Sequence, residues 1–152
     1  MLSRLASIFA LLLGVIGIAV SSNASVLLAN TYISVSEFHK YCSPSNCGKA
    51  MPCEGQAVTI TGKIDYPNVF SHGAYPHLRY EKFFLTDHKN TIEVMVVTSD
   101  NEAVFKKIFD LQNRDRNVII KGTIVGHDLP TMKACHRGAG LELRNAGDIL
   151  FQ

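Results

Sequence analysis

RYEKFFLTDHKNTIEVMVV, Arg79–Val97, carries two short runs of alternating side chains on either side of a polar break. Phe83 and Leu85 share one face of the first run. Ile92, Val94 and Val96 share one face of the second, against Glu93 and Met95. Successive side chains on a strand point to opposite faces, so this period of two predicts half-buried β-structure. Asp87-His88-Lys89-Asn90 is turn chemistry. Arg79–Thr86 and Thr91–Val97 are therefore expected to form a hairpin.

Upstream of the hairpin, Ala57–Tyr66 alternates in the same way, with Val58, Ile60 and Ile64 on one face and Gly62 interrupting their row. A loop with Pro67, Gly73 and Pro76 is expected over 67–78. Downstream, Ser99 and Glu102 have the spacing of a capping box, and Val104, Ile108 and Leu111 form a helical stripe widened by Phe105 and Phe109. Asn117–Gly126 is a fourth strand with Val118, Ile120 and Ile124 on one face. Its Ile120-Lys121-Gly122-Thr123-Ile124 matches the earlier Ile60-Thr61-Gly62-Lys63-Ile64. Two strands that bend at matching glycines suit a small, highly curved barrel. A long loop over 128–140 and a last strand from Leu141 complete the pattern. Before all this, Ser34 and Glu37 cap a short helix with an Ile33/Phe38 staple, ending near Cys42 at Ser43-Pro44-Ser45-Asn46. A Cys-rich loop fills 42–56.

The first residues belong to a different class. Arg4 is the only charge among the first 24 residues; the apolar run Leu5–Val20 follows, then Ser21-Ser22-Asn23-Ala24. That order describes a secretory signal peptide, 1–24, cut after Ala24. The run's 16 residues fall short of the roughly 20 a spanning helix needs, which sets cleavage against retention as an anchor. The expected destination is the periplasm or the exterior. The expected division is 1–24 signal peptide, 25–54 N-terminal helix and Cys-rich segment, and 55–152 barrel. The remaining 128 residues hold 14 basic against 13 acidic side chains, a net charge of +1 with His neutral. A dedicated duplex-DNA binder advertises a basic face, so nucleic acid is not the expected partner.

The order strand, hairpin, helix, strand, strand resembles the OB-fold, a five-stranded Greek-key barrel with a helix between its third and fourth strands. Phe84-Leu85-Thr86-Asp87 followed by Ile92-Glu93-Val94 is similar to the second and third strands of exported bacterial OB-fold proteins related to anticodon-binding domains. The resemblance covers residues 55–152 and implies a mainly β binding module. Its ligand face lies on the second and third strands and takes oligonucleotide, oligosaccharide or protein. An SH3-like barrel is the structural rival.

Cys42, Cys47, Cys53 and Cys135 are an even set in an exported chain, read first as two disulfides. In the OB topology the first strand runs antiparallel to the fourth. This places Cys53 near Cys135 and leaves Cys42 to pair with Cys47. The alternative is a four-thiol metal site, for which only the gap between Cys42 and Cys47 fits zinc spacing. His72, His77, His127 and His136 border the same face and form a candidate metal or haem set, without an HxH pair or a CxxCH attachment motif. Tyr66, Tyr75, Arg79, Tyr80, Lys82 and Phe84 are the candidate ligand-binding residues, as aromatic platforms with bases suit single-stranded nucleic acid, sugar or peptide. No GxSxG, HExxH or P-loop is present. The expectation is a non-enzyme with no cofactor, whose partner is an envelope protein or an oligosaccharide.

Overall fold

The computed structural model describes residues 32–132 and 134–152. The signal peptide and its cut after Ala24 lie outside the described residues.

Alternation makes the strands, and their pairing makes a ring. β1 (Ile33–Ser34), α1 (Val35–Tyr41) and β2 (Ser45–Asn46) precede the barrel strands β3 (Ala57–Phe70), β4 (Glu81–Thr86) and β5 (Thr91–Val96). α2 (Asn101–Phe109), β6 (Val118–Pro130), β7 (Cys135–Leu143) and β8 (Ile149–Phe151) follow. Neighbours run β3-β4-β5-β7-β6, and β6 returns to β3, closing five strands. Every pair in the ring is antiparallel except β5 with β7. With α2 between the third and fourth ring strands, this is the OB-fold order.

The inward rows of β3, β4, β5 and β6 are those read from the sequence. Val58, Ile60, Phe83, Leu85, Ile92, Val94, Val118, Ile120, Ile124, Leu141 and Leu143 are buried in one core. Val104, Phe105 and Ile108 of α2 join it. Leu111 and Phe109 do not: both are exposed, because α2 ends at Phe109 and Leu111 falls in a following 3-10 turn. Asp100, not Ser99, precedes α2, and it makes no side-chain cap. At α1 the capping box is complete: Ser34 Oγ accepts from Glu37 N, and Glu37 Oε2 accepts from Ser34 N at 2.7 Å. Val35 and Phe38 enter the same core as the barrel.

The loop expected over 67–78 starts later: β3 runs on past Tyr66 to Phe70, pairing with β4 again at Val69 and Phe70 after a register shift. Pro67 lies in that irregularity, where no ladder bond is asked of its missing N–H. Gly122 marks the point where β6 leaves β8 and takes up β7. A Cβ there would sit 2.9 Å from the Glu142 carbonyl oxygen, so close passage of β7 requires glycine.

Two further expectations are corrected. Residues 128–140 are not a loop: β6 and β7 continue as a two-stranded arm, paired from Thr123↔Glu142 out to Pro130↔Cys135. The arm projects beyond the core, so it shows no hydrophobic period. The cysteine pairing follows from it. Cys53–Cys135 and Cys42–Cys47 do not form; the bridges are Cys42–Cys53 and Cys47–Cys135, with Cα atoms 5.6 Å and 5.5 Å apart. β3 begins opposite Thr123, whereas Cys135 faces Pro130, about 23 Å farther along β6 at the usual rise. Cys47 reaches it because β2 pairs with Arg137 and His136 of β7. Cys53 instead meets Cys42 at the end of α1, where both are buried.

Candidate binding groove

Residues from four neighbouring strands line one concave surface. Phe84 comes from β4, Thr91 and Glu93 from β5, His127 and Leu129 from β6, and Gly138 and Ala139 from β7. His39, Cys42 and Pro44 form the opposing wall, and the groove encloses about 390 Å³. The groove has room there because β7 carries small residues. A Cβ on Gly140 would lie 3.1 Å from the Glu93 carbonyl oxygen and 3.3 Å from His127 Cε1, so the imidazole lies over bare backbone. His127 Nδ1 is buried there without a hydrogen-bond partner among the described residues. Across the groove, His39 Nε2 donates to the Thr91 carbonyl at 2.9 Å.

The wall is clamped to the arm. Arg137 donates to both oxygens of Glu54, at 2.7 Å and 2.8 Å, and to Asp128 at 3.0 Å. Met51 N donates to the same Glu54 at 2.8 Å. The Arg137 guanidinium, with that amide, holds the Glu54 carboxyl down to about 2. The Cys47–Cys135 bridge and the β2–β7 pairing fasten the same segment.

Beside the groove an aromatic cup closes around Lys82. Phe70 ends β3 opposite Lys82, and Phe84 pairs with Glu93 across β4 and β5. The Lys82 ammonium lies 5.8 Å from the ring centroids of Phe70, Tyr80 and Phe84. It is 3.2 Å from Glu93 Oε2, and the Tyr80 hydroxyl donates to Glu93 Oε1 at 3.3 Å. Tyr75 packs on Phe70 with centroids 5.3 Å apart. Its loop, between β3 and β4, is anchored by the buried Glu81. That carboxylate accepts from His72 N at 2.6 Å and from the Asn101 side-chain amide at the start of α2.

Of the six candidate ligand residues, Tyr75, Tyr80, Lys82 and Phe84 are gathered here. Arg79 is exposed at the end of the loop and joins no ion pair among the described residues. Tyr66 lies elsewhere, beneath the Arg114 guanidinium at 6.0 Å, in a pocket of about 260 Å³ with Ile108, Phe109 and Leu111. Burial pushes its hydroxyl pKa up. The four candidate histidines are not brought together. His72 Nε2 donates to Leu78 O at 3.0 Å, His127 lies in the groove, and His136 pairs on the arm with Leu129. No group of three metal-ligating side chains occurs among the described residues.

His39, Thr91, Glu93 and Leu129 are groove residues that the sequence reading did not single out. The alternation of β5 did place Glu93 outward, and only the register opposite Phe84 shows what it faces.

No protein-family model matches the chain, and no curated protein matches it. Among solved structures, it is similar to the mitochondrial single-stranded DNA binding protein Rim1 from S. cerevisiae. The sequences are 14% identical, the likeness covers 64% of this chain and 94% of that one, and the TM-score is 0.43. At that score nothing about a ligand transfers, and the barrel rests on its own strand order.

Proposed function

We propose that this chain is an exported, non-catalytic OB-fold binding module whose groove takes an extended protein segment or an oligosaccharide. The observation that carries the reading is the commitment of Lys82, the lysine beside the groove, to Glu93 at 3.2 Å and to three ring faces. A phosphate backbone arriving there would have to break that pair and would leave Glu93, only 14% exposed, facing an anion. The apolar walls from Phe84 and Leu129 and the Gly138-Ala139 floor instead favour a ligand without strong negative charge. Two disulfides support the oxidising compartment that export implies.

Peptide and glycan arrays probed with the oxidised protein test this. Leu129→Asp and Phe84→Ala are expected to weaken the captured ligand at least about tenfold, as loss of a central contact does. Unchanged affinity in both variants would overturn the reading. So would salt-sensitive, submicromolar binding of single-stranded DNA or RNA that is lost on substituting Lys63, Arg79 and Lys82.

A further inference from the structure

We propose that Phe70, Tyr80, Phe84 and Glu93 form a quaternary-ammonium site in which Lys82 is a built-in, displaceable occupant. The inference rests on the β4–β5 face being the ligand-bearing surface. Three elements contribute to the cup: the end of β3, the residue before β4, and β4 itself. The Lys82 ammonium lies over all three rings, 5.8 Å from each centroid, and Phe70 and Phe84 pack edge-to-face with centroids 6.4 Å apart. A carboxylate completes the cup, 3.2 Å from the ammonium and steadied by the Tyr80 hydroxyl. Ring faces carry negative quadrupole and Glu93 carries negative charge, so every group turned to this point attracts a cation.

The geometry also selects the kind of cation. A distance of 5.8 Å is near the outer reach of about 6 Å for this interaction. A bare ammonium therefore sits in a cup wider than itself, and methyl groups on nitrogen would fill the gap to the rings. Hydration acts in the same direction. Lys82 ends in a strongly hydrated point charge on a flexible stem, and its side chain is already 25% exposed. It can leave to water while a poorly hydrated quaternary ammonium takes its place, and Glu93 keeps a cationic partner throughout. The exchange favours choline-type cations over primary amines. Free choline compounds and phosphocholine lipid headgroups share this chemistry.

The test titrates the oxidised full chain with choline and with ethanolamine, following Tyr80 and Phe84 ring resonances by NMR. Wild type, Lys82→Ala, Lys82→Gln and the double variant Lys82→Gln/Glu93→Gln are compared, with thermal unfolding confirming that each is folded. Choline is expected to shift the ring signals in wild type and to bind about tenfold tighter in both single variants, the gain that removal of a competing occupant gives. Ethanolamine is expected to bind more weakly than choline throughout, and the double variant to lose choline. Vesicles of phosphatidylcholine against phosphatidylglycerol separate the sources. Sedimentation with the first alone assigns a lipid headgroup, and binding of free choline alone assigns a soluble ligand. No gain in affinity in either Lys82 variant, or equal binding of ethanolamine, overturns the proposal. If choline fails while Leu129→Asp still weakens the captured groove ligand, the ammonium site falls and the groove reading stands.

Discussion

Glu54 shows how one side chain ties two distant parts of the chain. It precedes the barrel, yet both its oxygens are held by Arg137 on the arm. The contact depresses its pKa from 4.5 to about 2. A carboxyl depressed in the folded state contributes stability that is present above its unfolded pKa and is lost as pH falls through the folded value. The acid limb of the unfolding curve should therefore steepen between pH 4.5 and 2. Arg137→Met is expected to lower Tm by a few degrees at pH 7 and to flatten that limb, so that the two proteins converge near pH 2. Part of the slope will remain, because Asp87 is also depressed, by the Ser36 hydroxyl and then the Asn90 amide. Thermal unfolding across pH 2–7 checks this, and an unchanged acid limb in Arg137→Met would count against the clamp. None of it was legible in the sequence, where Glu54 and Arg137 are isolated charges 83 positions apart.

At the scale of elements, the two bridges differ in kind. Cys42 and Cys53 are 3% and 1% exposed, sealed between α1 and the barrel, whereas Cys47 and Cys135 are both half-buried. Thiol–disulfide exchange needs access to sulfur, so graded dithiol should open Cys47–Cys135 first and leave Cys42–Cys53 until the domain unfolds. The accessible bridge also spans the longer separation, 88 residues against 11. On the chain-entropy account it contributes about 4.5 kcal/mol and the buried one about 3 kcal/mol. Alkylation and peptide mapping at each dithiol concentration give the order, and denaturant midpoints give the loss. Reduction of Cys42–Cys53 first would mean that α1 opens before the arm does. Spacing alone could not produce this connectivity, which depends on a two-residue strand, Ser45–Asn46, finding β7.

For the whole molecule, the export proposal and the two disulfides concern the same compartment. Signal peptidase cutting after Ala24 would leave Ser25 as the first residue, and the disulfides would form after transfer. Intact-mass measurement on envelope-derived protein is expected to show loss of residues 1–24 and of four thiol hydrogens. A full-length mass in the membrane fraction would assign an anchor instead. Val35 and Phe38 lie in the same core as Ile60 and Leu85, so the segment ahead of the barrel belongs to its folding unit.

The sequence alone sets the inward faces of β3, β4, β5 and β6, since a period of two is a local property that survives any arrangement of partners. It determined the helix between the third and fourth ring strands and the capping box at Ser34. It also marked Gly62 and Gly122 as bends. The arm, the disulfide pairs, the placement of Tyr66 beside Ile108 and Arg114, and the joining of Glu93 with Lys82 near three rings came only with the packed fold. These depend on register between strands and on segments that bury no core face, where no repeating pattern is imposed on the chain. A charge on an outward position looks the same in sequence whether it faces water or completes a site, and the cross-strand partner makes the difference.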